Sequence, residues 1–90
     1  MKVIVKLLGS LSIVAGIQSA EVELEEDNNT VERIVDKIVG MYGGEKIKRR
    51  IFTRDGGVAV TLALNGTWCS LDAKVKDGDE ICIMPPISGG

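Results

Sequence analysis

Between residues 31 and 42 the apolar side chains Val31, Ile34, Val35, Ile38 and Tyr42 recur at three- and four-residue spacing, with charged residues in most of the intervening positions. That period is a helix with one apolar stripe, and one such stripe in ninety residues requires one apolar surface for it to cover. Asn29 is placed to cap the helix, and Glu32, three positions on, to complete a box-like arrangement. Gly43-Gly44 ends it. Gly40, inside the helix, costs about 1 kcal/mol against alanine, and close packing against a sheet is the natural reason for it.

The surface to be covered is written at both ends of the chain. "KVIVKLL" at 2–8 alternates, with Val3, Val5 and Leu7 on one side and Lys2, Ile4, Lys6 and Leu8 on the other. "GSLSIVAG" reads as a loop with room for a short helical turn, after which "AEVELEED" resumes alternation with Val22 and Leu24 inward. Glu21, Glu23, Glu25, Glu26 and Asp27 form a solvated acidic face there. Beyond the helix, "VAVTLAL" presents Val58, Val60, Leu62 and Leu64 on one face and is followed by a tight Asn65-Gly66 turn. "EICIMP" alternates again, with Ile81 and Ile83 inward and Glu80, Cys82 and Met84 outward.

"EKIKRRIFTRDGG" lies between helix and third strand and reads as an extra hairpin arm turned by Asp55-Gly56-Gly57. Lys46, Lys48, Arg49, Arg50 and Arg54 make it basic, as a solvated edge blunted by charge, as a docking surface for an acidic partner or, last in order, as an RNA-binding segment. Two strands, a helix, then two or more strands make an α+β domain. The N-terminal strands form an antiparallel hairpin, and the last strand beside the first is parallel through the helix-containing crossover. The expected architecture is a β-grasp, as in ubiquitin: a mixed sheet of four to five strands with one main helix packed across it. Residues 1–84 make the domain and 85–90 an extended, flexible tail.

Several functions are disfavoured by composition. The net charge of −2 argues against nucleic acid as the main partner. The chain contains no histidine, the usual neutral-pH base and the commonest metal ligand. Cys69 and Cys82 have neither a CxxC arrangement nor a histidine partner, so they read as small half-buried apolar residues and no metal site is written. The first twenty residues have an early lysine and an apolar stretch like a secretory signal, but Lys6, Gly9, Ser10 and Ser12 interrupt it. No run approaches the roughly twenty apolar residues of a membrane span, and the expectation is a cytoplasmic protein with no membrane partner.

The chain ends on PPISGG. Pro85 and Pro86 fix φ near −65° and hold the exit from the last strand extended. Ile87 and Ser88 follow, and Gly89 and Gly90, with no Cβ, suit a channel too narrow for other residues. The reacting atom of such an end is the carboxyl carbon of Gly90. A carboxylate with a pKa of about 3.5 is ionised at neutral pH and a poor electrophile, so a partner must activate it, as ATP-dependent adenylation does. Sulfur can then displace AMP to leave a thiocarboxylate, or a lysine amine can displace it to form an isopeptide. Neither route needs an acid or base from this chain.

"NGTWCSLDAKVKDGDEICIMPPISGG" resembles the C-terminal third of the MoaD family, the small ubiquitin-like sulfur-carrier subunits of molybdopterin synthase. The resemblance runs through Asn65-Gly66, Leu71, Asp77-Gly78-Asp79-Glu80, Pro85-Pro86 and Gly89-Gly90, and "MKVIVKLLGSLSIVAG" and "TVERIVDKIV" resemble its N-terminal half. It implies a carrier without catalytic side chains or bound cofactors of its own. A MoeB-like adenylating enzyme would use ATP to activate Gly90, a sulfur donor protein would convert it to a thiocarboxylate, and a MoaE-like large subunit would receive the tail. By position, Leu8, Trp68 and Met84, together with Ile87, would face the partner, although members often carry aromatics where this chain has Leu8 and Met84. For Trp68 the residues alone leave open an interface anchor or a side chain closing the core edge. Archaeal small modifier proteins share the body and tail, and thiamine-pathway carriers of the ThiS type also end in two glycines. The ranking is molybdopterin carrier, then protein modifier, then thiamine carrier.

Overall fold

The computed structural model describes residues 1–25 and 29–86. Its elements in chain order are β1 (Lys2–Leu7), α1 (Ser10–Ala15), β2 (Ser19–Glu23), β3 (Asn29–Thr30), α2 (Val31–Met41), α3 (Glu45–Ile51), β4 (Thr61–Leu64), β5 (Thr67–Trp68), β6 (Lys74–Val75) and β7 (Glu80–Met84). Glu26 and Asp27 of the expected acidic face, and Ile87, Ser88, Gly89 and Gly90 of the expected tail, lie outside the described residues.

Five strands form one sheet in the order β2-β1-β7-β4-β5, and β3 pairs with β6 separately. β1 runs antiparallel to β2 and parallel to β7, while β4 is antiparallel to both β7 and β5. The parallel pairing of first and last strands through a crossover helix is the expected β-grasp. Val3, Val5, Leu7, Val22, Leu62, Ile81 and Ile83 supply the covered face of the sheet, and Val31, Ile34, Val35 and Ile38 of α2 are all buried in the same core. Burial of each such aliphatic side chain contributes about 1.5–3 kcal/mol of transfer free energy, which is why the alternating and helical periods agree in the fold.

The start of α2 differs from expectation. Thr30 is the cap, in extended conformation, and its Oγ1 accepts from the Arg33 amide at 3.4 Å. Asn29 is instead buried in β3, in register with Val75, because strand pairing holds the backbone extended one residue further than the sequence spacing implies. Two more of the helix's first amides, those of Val31 and Glu32, donate to the carbonyls of Ala73 and Leu71 at 3.0 and 2.9 Å. Gly40 is also corrected: it is exposed, and a Cβ there would meet nothing within 4 Å, so sheet packing is not its reason. Gly43-Gly44 does end the helix, with both residues at positive φ.

The basic segment is a helix rather than a hairpin arm. Ile47 and Ile51 of α3 sit one turn apart and are fully buried, and Glu, Lys and Arg, good helix formers and poor strand formers, occupy the rest. The Asp55-Gly56-Gly57 turn persists in reduced form. The Thr53 amide donates to the Gly57 carbonyl at 3.0 Å, and Phe52 and Val58 make an isolated antiparallel bridge. Val58 is therefore 38% exposed rather than part of a core-facing strand, and only Thr61–Leu64 of "VAVTLAL" joins the sheet.

Candidate functional site

β7 positions everything that bears on the chain's end. Ile81 and Ile83 are buried, so the alternation turns Cys82 and Met84 to the outer face, away from the helices. Cys82 is in register with Lys6 of β1 and with Ala63 of β4, and Ala63 is in register with Trp68 of β5. One row across the outer face thus reads Lys6, Cys82, Ala63, Trp68. The next row holds Met84 opposite Thr61, with Leu8 alongside, since the Leu8 amide donates to the Ile83 carbonyl at 3.0 Å.

Of the partner-facing residues expected from sequence, Leu8, Trp68 and Met84 therefore share one surface, and Ile87 lies outside the described residues. Trp68 is 64% exposed and Leu8 42%, while Met84 is half-buried. The exposure of Trp68 removes it from the core edge. With strands about 4.8 Å apart, the β5 and β1 positions are separated by about 14 Å across the sheet, with Met84 of β7 between them. Lys6 and Glu80 form a salt bridge at 3.5 Å at the far side of this face.

Past Met84 the chain enters Pro85 and Pro86. Gly9, at φ 58° and ψ −137°, lies directly against this exit: a Cβ on Gly9 would stand 3.0 Å from Pro85 Cγ. Only glycine combines that backbone geometry with so close an approach. The Gly9 carbonyl is held in turn by the Ser12 amide at 3.1 Å and the Ser12 hydroxyl at 2.7 Å. The neck is thus seated on the β1–α1 junction before the last four residues begin.

The other end of β7 is fixed by a clamp. Asp79, 7% exposed, accepts from the Asn65 side-chain amide at 2.9 Å and the Lys76 backbone amide at 2.7 Å. Asn65 also accepts from the Glu80 amide through Oδ1 at 2.9 Å, and its own backbone amide donates to the Glu80 carbonyl at 2.8 Å. Donation from Asn65 holds the Asp79 carboxyl below the usual carboxylate range, opposed by burial and helped by the Lys76 amide and charge. Asp77 accepts from the Lys2 amide at 2.7 Å, and the Gly78 amide donates to the Lys2 carbonyl at 2.8 Å. Asn65-Gly66 and Asp77-Gly78-Asp79-Glu80, far apart in sequence, are therefore one device that registers β7 between β1 and β4. Asn65 at φ 51° and Gly66 at φ 83° make the hairpin turn between β4 and β5 as expected.

Sequence reasoning passed over two residues of this site. Gly9 falls within the loop read from "GSLSIVAG", although a glycine directly after an alternating strand is a signal for close approach. Alternation alone turns Cys82 outward, and only strand register makes it the centre of the outer face, between Lys6 and Ala63. Cys69 is half-buried, and burial pushes its thiol up. Among the described residues no group of three His, Cys, Asp or Glu side chains could hold a metal ion, and no helix is long and apolar enough to cross a membrane.

Comparison with known proteins agrees with this architecture. The ThiS family profile matches residues 5–90. The chain is 32% identical over 87 residues to small archaeal modifier protein 1 of Haloferax volcanii, covering 94% of this chain and 97% of that one. The crystal structure of that protein superposes with a TM-score of 0.86 at 29% identity, over all of both chains. The molybdopterin synthase sulfur carrier subunit of Haemophilus influenzae is 30% identical over 69 residues, covering 77% and 78%. A BexX/CysO complex from Amycolatopsis orientalis contains a chain that is 28% identical with a TM-score of 0.71, covering 98% and 99%. With a profile match over nearly its whole length and a β-grasp body, the chain belongs to the ThiS family of ubiquitin-like sulfur carriers.

Proposed function

We propose that the chain carries activated sulfur on its C-terminal Gly90. The carboxylate attacks the α-phosphate of ATP held by a MoeB-like adenylating enzyme, releasing pyrophosphate and forming an acyl adenylate. A hydrosulfide-level nucleophile from a sulfur donor protein then attacks the carbonyl carbon, the C–S bond forms, AMP leaves, and a thiocarboxylate remains. A MoaE-like subunit receives that tail for molybdopterin synthesis, covering Leu8, Met84 and Trp68 while Pro85, Pro86, Ile87, Ser88 and Gly89 lead Gly90 into its active centre.

The neck is the observation that supports this reading. Pro85 seated on Gly9, beside an exposed face carrying Met84, Leu8 and Trp68, gives the last residues a fixed point of departure and a partner an apolar surface to grip. Carrier and recipient chemistry both need a chain end that can be presented to a second protein. The test is intact-mass analysis after incubation with an active MoeB-type enzyme, ATP and sulfide. A gain equal to the replacement of oxygen by sulfur, absent when Gly90 is deleted, is expected; no gain refutes sulfur carriage.

A second reading has its own support in the wider similarity to small archaeal modifier protein 1, 94% of the chain against 77% for the molybdopterin carrier subunit. In it, a lysine amine displaces AMP and Gly90 becomes an isopeptide. Cellular proteins would then carry the C-terminal peptide of this chain on lysine, and those adducts would vanish on deletion of Gly90.

A further inference from the structure

The cations of α3 and its exit are not used by the neck or by the outer sheet face. Lys46, Lys48, Arg49, Arg50 and Arg54 are all exposed, and among the described residues none of them makes an ion pair or a side-chain hydrogen bond. These five cations against Glu45 and Asp55 give residues 45–55 a charge of +3, leaving −5 on the rest of a chain whose net charge is −2. The burial of Ile47 and Ile51 fixes the helix's rotation and so fixes the charges outward. This is a rigid basic surface on the helical side of an otherwise acidic molecule.

The surface is also grooved. One groove of about 390 Å³ is lined by Glu45, Lys48, Arg49, Phe52, Thr53 and Arg54, three cations against one carboxylate, with half-buried Phe52 as its apolar part. Another, of about 310 Å³, lies on the far side of Arg49, between Val14 and Lys46, Arg49 and Arg50. α1 packs against α3 and carries Ile13, which is 80% exposed. Basic rims around apolar floors fit a segment in which carboxylates flank an apolar side chain. They fit nucleic acid poorly, because the ring that lines the first groove, Phe52, is half-buried and offers no exposed stacking platform.

We infer that the α3 face is a second docking surface, for an acidic segment of a partner protein bearing an apolar anchor, on the helical side of the molecule and not on the outer face of the sheet. A partner held there would leave the outer sheet face free, so one carrier could be recruited by one protein and used by another. The inference stands apart from sulfur carriage and would survive if Gly90 accepted no sulfur.

The test uses the full chain and a fluorescein-labelled twelve-residue peptide of glutamates around a central leucine, followed by anisotropy and by amide chemical shifts. Saturable binding, with shifts confined to α3, Phe52 and Arg54 and weakening as salt is raised, is expected. Arg49→Gln with Arg54→Gln should lower the affinity about three- to tenfold, with unchanged circular dichroism because both positions are exposed and glutamine is a good helix former. Replacing the peptide's leucine by serine should weaken binding further. No saturable binding overturns the inference. Tighter binding of an oligouridylate of equal length to the same residues also overturns it, in favour of nucleic acid.

Discussion

Removing the Asp79 carboxylate tests whether the Asp77-Gly78-Asp79-Glu80 motif is a structural clamp. Asp79→Ala deletes an acceptor that is 7% exposed and takes hydrogen bonds from Asn65 at 2.9 Å and Lys76 at 2.7 Å. Hydrogen bonds to a charged group contribute about 1.5–3 kcal/mol each. Both donor residues are exposed and recover water, so the net loss at neutral pH should be about 2–3 kcal/mol. Against a total of roughly 5–13 kcal/mol for a domain of this size, that is a large share, and it should lower Tm by about 10–20 °C.

The sign of the pH dependence separates this account from simple loss of packing. The folded carboxyl titrates below its unfolded value of about 3.9. The stabilisation is therefore fully present above that value and is lost as pH falls through the folded pKa, because in between the unfolded chain takes up a proton that the native one refuses. Asp79→Asn, which keeps the shape without the charge, should be less stable than the parent at neutral pH, and the gap should close as the solution is acidified below about pH 4. Urea denaturation of both proteins from neutral to acid pH measures it, and the other carboxylates cancel in the difference. A gap that is constant with pH, or absent throughout, would refute the clamp.

Further outcomes follow from the same geometry. Gly9→Ala forces a side chain into a positive-φ conformation and to 3.0 Å from Pro85 Cγ, so it should cost about 1–3 kcal/mol in urea denaturation and slow adenylation of Gly90 by shifting the neck. Trp68→Ala should leave the melting curve nearly unchanged, because the side chain is 64% exposed, yet weaken partner binding by about 1–2 kcal/mol or more, read by calorimetry. Ile51→Ala should destabilise by about 2–5 kcal/mol, where a detachable arm would have tolerated it.

Legibility in the sequence followed the physics of each segment. Strands and the main helix could be read because burial of one face imposes a period, and Val3, Val5, Leu7, Ile81, Ile83 and the α2 stripe all obey it. The α3 helix was misread because "KIKRRIF" is short enough to satisfy both periods: Ile47 and Ile51 are an i, i+4 pair, yet charges around a turn-forming Asp-Gly-Gly also describe a hairpin. Only the core that Ile47 and Ile51 enter decides between them. The cap at Thr30 was missed for a related reason. Asn29 and Thr30 are both good caps by side chain, and the choice is made by the pairing of Asn29 with Val75, more than forty residues on.

The site shows the same division between local and distant causes. That Leu8 and Met84 face outward is local alternation, but the placement of Trp68, and that all three share one surface, depends on registers between strands far apart in sequence. The shared motifs divide by task once those registers are known. Asn65 and Asp79 hold the start of β7, while Gly9 and Pro85 hold its exit. A strand fixed at both ends has little freedom to slide, so the placement of Met84 and Pro85 is set by contacts within the body. It follows that loosening Asp79 should impair use of Gly90 even though the two lie at opposite ends of the same segment, and that restoring stability elsewhere in the core should not restore that use. An Asp79 variant whose chain end is adenylated at the parental rate would show that the partner, and not the body, supplies the alignment.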